Sequence, residues 1–196
     1  MVRPRLVVLA SGSGSNLQAV IDACDSGVIG AEVAGVVSDR IDAYALVRAD
    51  RAGIDTELVQ RLDGEPRSDY DRRLAGAVAS LKPDWIVLAG WMRILTMNFL
   101  DAFPDRVLNL HPALPGQLPG TRAIERAWEQ AIAGERASSG VMVHLVPDEG
   151  VDDGPVLATR EIPIDTSGTL DAFATTVHAT EHALLVETLA ELCPAS

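Results

Sequence analysis

Arg5-Leu6-Val7-Val8-Leu9-Ala10, then Ser11-Gly12-Ser13-Gly14-Ser15-Asn16, then a helical pattern from Leu17 through Cys24 decides the fold class of this chain. The first segment is a short apolar strand of the kind buried on both faces of a parallel sheet. In the third, Leu17, Val20, Ile21 and Cys24 recur on one side of a helix. A strand, a glycine-rich turn and a helix start open a βαβ unit. Glycines let backbone approach an anion, Ser15 or Asn16 can cap the helix, and exposed amides with the helix dipole favour a phosphate. A dinucleotide loop is the competing reading. Its third glycine should stand at position 17, which is Leu17, although Asp39 follows the second strand where a ribose-binding acid is expected. A purely structural turn is the third.

Outward from this unit the pattern alternates. Strands are expected at Ala31 to Val37, weakly at Thr56 to Val59, at Trp85 to Ala89, around Val107 to His111, at Gly140 to Val146 and at Val156 to Ile162. Helices are expected at Ala43 to Ala52, Tyr70 to Leu81, Thr96 to Ala102, Arg122 to Ala133 and Thr169 to Leu192, with Leu62 to Arg67 a polar surface loop. Such alternation predicts a single α/β domain with a doubly wound, mostly parallel, Rossmann-like sheet. The last helix carries Leu170, Phe173, Val177, Leu184, Leu185 and Leu189 as its apolar face. It is free either to pack on the domain or to pair with a second copy as a homodimer.

The chain has 196 residues and a formal net charge of −12. That length can bury a core without disulfide or metal staples. The acidic balance argues against nucleic acid and anionic membranes as partners. Cys24 and Cys193 make no metal-ligand spacing and read as free thiols. No metal is called for. No apolar run is long enough for a membrane helix and no signal core precedes the first strand, so the expected setting is the cytoplasm.

The chemistry concentrates in Val107-Leu108-Asn109-Leu110-His111-Pro112. Asn109 and His111 interrupt an apolar strand two residues apart, so both project from one face at its carboxyl end. An amide can donate to a developing oxyanion, and histidine exchanges a proton near neutral pH. Each alone also reads as a satisfied structural group. Gly90 to Leu95 sits at another strand's carboxyl end, where Trp91, Met92 and Ile94 either line a pocket for a flat heterocycle or plug the core. His144, inside an apolar strand, is expected to be a packed core residue. Asp148 to Pro155 is an acidic turn without calcium-ligand spacing.

Gly12-Ser13-Gly14-Ser15-Asn16, Met92-Arg93-Ile94-Leu95, Asn109-Leu110-His111-Pro112, Asp152-Asp153-Gly154-Pro155 and Glu181-His182 occur in that order. In this combination the chain resembles the folate-dependent phosphoribosylglycinamide formyltransferases over essentially its whole length. The resemblance implies one formyltransferase domain over residues 1–196, with about 1–105 a phosphate- and ribonucleotide-binding half and about 106–196 a folate-binding and catalytic half. It implies two ligands, glycinamide ribonucleotide and 10-formyltetrahydrofolate, the latter a co-substrate. By similarity Gly14, Ser15 and Asn16 hold the ribonucleotide phosphate and Glu181 contacts the ribose. Arg67, Met92, Arg93, Ile94 and Leu95, with Asn109, serve the folate. Asn109, His111 and Asp152 form the catalytic trio, with Asp152 expected to raise the pKa of His111.

Three positions depart from the family pattern. Ala113-Leu114-Pro115-Gly116 replaces a usual Ser-Leu-Leu-Pro, Met142 replaces a small hydroxyl residue, and His178 stands where a glutamine is often found near the ribonucleotide. Related readings share the trio: a 10-formyltetrahydrofolate hydrolase or a sugar-nucleotide formyltransferase. A nicotinamide-dependent oxidoreductase would rest on Gly12, Gly14 and Asp39. A non-catalytic ligand-binding paralogue would rest on Met142 and Ala113.

Overall fold

The structure is a computed structural model that describes residues 3–195. Strand β1 (Arg5–Leu9) is central, and Leu6 through Ala10 have no exposed surface. It is flanked in parallel by β2 (Glu32–Ser38) and β4 (Trp85–Leu88). A short β3 (Thr56–Leu58) extends the sheet beyond β2, and β5 (Val107–His111) lies parallel to β4. The final two, β6 (Ser138–Leu145) and β7 (Val156–Pro163), add antiparallel to give the order β3-β2-β1-β4-β5-β6-β7. The expected doubly wound, mostly parallel sheet is the one found.

Helices cover both faces, as a parallel sheet requires. On one side α1 (Ser15–Asp25), α2 (Tyr44–Arg51), α5 (Ala123–Ile132) and α6 (Leu170–Leu192) share a core that includes Leu17, Val20, Leu108 and Leu185. On the other, α3 (Arg67–Ser80) and the one-turn α4 (Met97–Leu100) pack Tyr70, Leu74 and Phe99 against Val7, Leu9 and Ile86. Tyr70 satisfies its buried hydroxyl by donating to the Val59 carbonyl at 3.0 Å. Emptying such a site costs about 2–5 kcal/mol for a leucine-to-alanine change.

Element boundaries moved by one to three residues where caps decide them. α3 begins at Arg67, in what reads as polar loop, because Pro66 stands at the cap, where its missing N–H costs no helical hydrogen bond. For α1 the expected Ser15 or Asn16 cap is not the one used. Gly14 is the cap, at φ +70°, and no side chain satisfies the first turn. A Cβ at Gly14 would stand 2.7 Å from the Ala45 Cα, so glycine is demanded twice, by backbone conformation and by space. α6 packs on α1 and β6, which settles where its apolar stripe goes.

The chain leaves β1 toward β2 and returns to β4 on β1's other side, so the carboxyl ends of β1 and β4 frame a crevice. Open α/β sheets bind ligands at such a switch point. The glycine-rich loop, the Gly90–Leu95 loop and the end of β5 all meet there.

Candidate active site

A cleft of about 420 Å³ opens at these strand ends. It is lined by Gly12 through Asn16, Leu88 through Leu95, Asn109 through Pro112, Gly120 through Ile124, His144, the Asp148–Asp152 turn, His178 and Glu181. Of the residues expected in a site, Gly14, Ser15, Asn16, Met92, Arg93, Ile94, Leu95, Asn109, His111, Asp152 and Glu181 all line it. Arg67 does not. It lies in a smaller adjoining cavity with Arg61, Tyr70 and Asp71, which shares Met92, Arg93 and Ile94 with the main cleft.

Period-two geometry brings Asn109 and His111 to one face of β5. Antiparallel pairing sets His144 directly opposite Asn109, and Met142 opposite His111. Asp152 approaches from the acidic turn in a left-handed conformation, φ +56°. Its Oδ1 accepts from Asn109 Nδ2 at 2.9 Å, and its Oδ2 accepts from the Gly120 amide at 2.7 Å. Nδ1 of His111 stands 3.3 Å from the same Oδ2. The second amide proton of Asn109 points to His144 Nε2 at 3.1 Å, while Nδ1 of His144 donates to the Leu145 carbonyl at 2.8 Å. That carbonyl can only accept, so the proton belongs on Nδ1 and the lone pair on Nε2. The Asn109 amide is thereby held between two acceptors, which also fixes which of its ends is nitrogen.

His144 is therefore more than packing. It is buried as expected, at 2% exposure, but its ring orients Asn109. Only the β5–β6 register reveals this, and that pairing was not legible in one sequence.

The electrostatics of His111 depart from expectation. Burial pulls its pKa below the ordinary imidazole range. Asp152 and the Leu118 carbonyl, which faces Nε2 at 3.1 Å, push it upward but less strongly. Burial likewise raises Asp152, but hydrogen bonding on the His144 side, the Gly120 amide and the nearby imidazoles outweigh it, and the net direction is down. The pair is thus a carboxylate facing His111 Nδ1 at 3.3 Å, with burial holding the imidazole toward its neutral form. Such a pair is arranged to receive a proton and then stabilise the resulting ion pair.

Backbone from the 112–122 loop closes the cluster, with Leu118 and Arg122 at φ 47° and 59°. Left-handed backbone at non-glycine residues costs about 1 kcal/mol or more each and collects at functional sites. Arg126 on α5 straps the loop by donating to the Leu118 and Pro119 carbonyls, both at 2.7 Å. Ala113 and Met142, two departures from the family pattern, are both buried, at 0% and 1% exposure, and Met142 is the cross-strand neighbour of His111.

At the cleft's other end the glycine-rich loop presents the uncapped start of α1. Arg48 on α2, which sequence reasoning passed over, donates to the Ser13 carbonyl at 2.8 Å and places a cation behind the loop. Glu181 is buried because it falls in the apolar stripe of α6, four residues after Val177 and three before Leu184. It pairs with His178 Nδ1 at 2.7 Å. Asp39, the candidate ribose acid of a dinucleotide site, is committed elsewhere: its Oδ2 accepts from Arg93 Nε at 2.6 Å. Arg67 pairs with Glu149 at 2.9 Å, tying α3 to the acidic turn, and Asp153 is exposed. Among the described residues no group of three or more His, Cys, Asp or Glu side chains is placed to hold a metal. No helix among them is long and apolar enough to cross a membrane.

The crevice at the β1/β4 switch point holds the amide and imidazole of β5 interlocked with a carboxylate from the acidic turn, the setting of an α/β enzyme, and the chain belongs to the formyl transferase family, whose pattern matches residues 4–189. Its relatives narrow the class. It is 42% identical to phosphoribosylglycinamide formyltransferase of Schizosaccharomyces pombe, covering 95% of this chain and 96% of that one. Identity is 39% to the Escherichia coli enzyme of the same name, over 91% and 82% of the two chains. Glycinamide ribonucleotide transformylase 1 of Geobacillus kaustophilus has the same fold, with a TM-score of 0.89 at 36% identity over 97% of this chain and 99% of that one.

Proposed function

We propose that this chain moves the formyl group of 10-formyltetrahydrofolate to the amine of glycinamide ribonucleotide, in the cytoplasmic route to purines. The observation that carries the reading is one continuous cleft, with the interlocked Asn109, His111 and Asp152 at one end and the glycine-rich loop with Glu181 at the other. Gly14, Ser15 and Asn16 hold the phosphate and Glu181 the ribose. Met92, Arg93, Ile94 and Leu95 bracket the folate ring, with Asn109 at its reacting end and Arg67 toward its anionic tail. The two halves divided near residue 105 thus contribute to one cleft. All of these groups come from a single chain, so a homodimer is not needed to complete the site. The net charge of −12 speaks against nucleic acid as a partner.

The chemistry follows from the resting geometry. The substrate amine attacks the formyl carbon, and the carbonyl oxygen becomes an oxyanion. Asn109 Nδ2, whose two protons rest on Asp152 Oδ1 and His144 Nε2, donates to it by releasing one of these acceptors, and one such donor is worth about 10²–10³ in rate. Neutral His111 takes the proton that the amine must lose, and Asp152 stabilises the imidazolium. The charged ring is then a second donor to the oxyanion and the acid that protonates the departing folate nitrogen as the carbon–nitrogen bond breaks. Nε2 of His111 faces the Leu118 carbonyl at rest, so its engagement requires the strapped 112–122 loop to shift. The test is to supply purified protein with both substrates. Formylated ribonucleotide formed in step with tetrahydrofolate supports the reading. Formate release that needs no amine acceptor would overturn it in favour of a hydrolase.

A further inference from the structure

Two carbonyls of the glycine-rich loop are engaged from outside the cleft. Gly12 accepts from the Ala45 amide at 3.1 Å, and Ser13 accepts from Arg48 Nε at 2.8 Å. Both donors belong to α2, which follows β2, whereas the cleft opens on the other side of β1, toward β4. In a planar trans peptide the N–H points opposite to the C=O of the same unit, and no cis bond occurs among the described residues. Turning the Gly12 and Ser13 carbonyls to α2 therefore turns the Ser13 and Gly14 amides away from it, toward the cleft.

Arg48 is itself held in place. Its Nη1 donates to Gln18 Oε1 at 3.1 Å, and Gln18 Nε2 donates to Asp22 Oδ1 at 2.9 Å, so Gln18 presents its oxygen to the guanidinium. The guanidinium carbon also lies 5.1 Å from the centre of the Tyr44 ring. Its two acceptors, a carbonyl and a side-chain amide, are neutral, so its charge is available to an anion arriving at the front of the loop. A cation on the oxygen of the Ser13–Gly14 peptide polarises that peptide and strengthens its N–H as a donor. Backbone packing by Ala45 shapes the loop, and Arg48 adds the charge that such packing lacks.

Resting on the function proposed above, we propose that Arg48 is a positioning residue for the ribonucleotide phosphate: from behind the glycine-rich loop it orients the Ser13–Gly14 peptide so that the Gly14 amide meets the phosphate, and its charge strengthens that bond. Arg48 does not line the cleft, so it acts through the peptide rather than on the ligand. Its removal should therefore weaken the grip on the phosphate and leave the folate pocket and the cluster on β5 as they are.

The test is a cycle between this side chain and the phosphate of the ligand. Arg48→Met keeps an apolar stem beside Tyr44 and removes the charge and both donors. Its KM for the ribonucleotide should rise about 10-fold, as loss of a charge-assisted hydrogen bond predicts, with kcat and the KM for the folate within about twofold of wild type. With glycinamide riboside, which lacks the phosphate, kcat/KM of the variant should stay within about twofold of wild type. Arg48→Lys restores a cation without the planar fork, and its ribonucleotide KM should lie about threefold above wild type. Equal losses with riboside and ribonucleotide, or a folate KM that rises in step, would overturn the inference and leave the function standing. Should Arg48→Met fail to fold by circular dichroism, the same cycle on Arg48→Lys decides: a loss confined to the phosphorylated substrate supports the inference, and any other result overturns it. Absence of formylated ribonucleotide with the wild type would instead sink the function. Calorimetry with ribose 5-phosphate then still decides on Arg48. Affinity about 10-fold weaker in Arg48→Met supports it, and equal affinity, or binding to neither protein, refutes it.

Discussion

The two ends of the cleft are built on opposite plans. At the β5/β6 end every polar atom of Asn109, His144 and Asp152 that points inward has a partner inside the protein, and burial makes each bond count. At the β1/α1 end the first turn of α1 has no side-chain cap, and Asn16 keeps a buried Oδ1 without a partner. The first region is preorganised for charge that appears only during reaction. The second leaves its donors for a ligand that carries its own charge. Catalysis requires the former, because only interactions stronger in the transition state accelerate the chemistry. Substrate capture is served by the latter.

Breaking the interlocked end should therefore act on kcat. Asn109→Ala, His111→Ala and Asp152→Ala are each expected to cut turnover at least ~100-fold with the fold retained, measured by steady-state kinetics and circular dichroism. Wild-type rates in all three would remove the mechanism. His144→Ala should have the same character at smaller scale. Freed from one acceptor, Asn109 loses its orientation, and kcat is expected to fall about 10-fold with KM nearly unchanged.

Breaking the open end should act on KM instead. Gly14→Ala forces a Cβ against Ala45 at φ +70°, so ribonucleotide KM should rise about 10-fold. Stability should drop by about 1–3 kcal/mol in denaturant unfolding. An effect confined to kcat would contradict the division of labour.

Acid acts on the interlocked end through stability as well. His111 is lowered in the folded state, so below the ordinary imidazole range the unfolded chain binds the extra proton first and folding weakens. Asp152 is also lowered, so its contribution is whole above the ordinary carboxylate range and is lost as pH falls through its folded value. Urea midpoints in His111→Gln should accordingly fall less between about pH 7 and 5 than in the wild type. The smallest effect expected is that of Glu149→Gln. It breaks a half-exposed pair with Arg67 that is worth about 0–1 kcal/mol.

How much of this could be read from the chain depends on range. The strand, glycine loop and helix at the amino terminus carry local signals, and β1 and α1 appear within two residues of their expected bounds. Asn109 and His111 sharing a face is also local, a consequence of strand period alone. What escaped depends on partners distant in sequence. His144 gained its role from a cross-strand register, and Arg48 from a carbonyl thirty-five residues away. The direction of the His111 pKa shift escaped because burial, unlike the Asp152 charge, cannot be named from a motif. Glu181 was named only through the family resemblance, although its place four residues after Val177 and three before Leu184 is a spacing signal in its own right.

The central claim is that formyl transfer to the amine occurs at the interlocked cluster on β5. Isotope-labelled 10-formyltetrahydrofolate tests it in one vessel with glycinamide ribonucleotide, using wild type and Asn109→Ala side by side. The account predicts label in the ribonucleotide at the rate tetrahydrofolate appears, and a rate at least ~100-fold lower in the variant. Label released as formate, or transfer undiminished without Asn109, would contradict it.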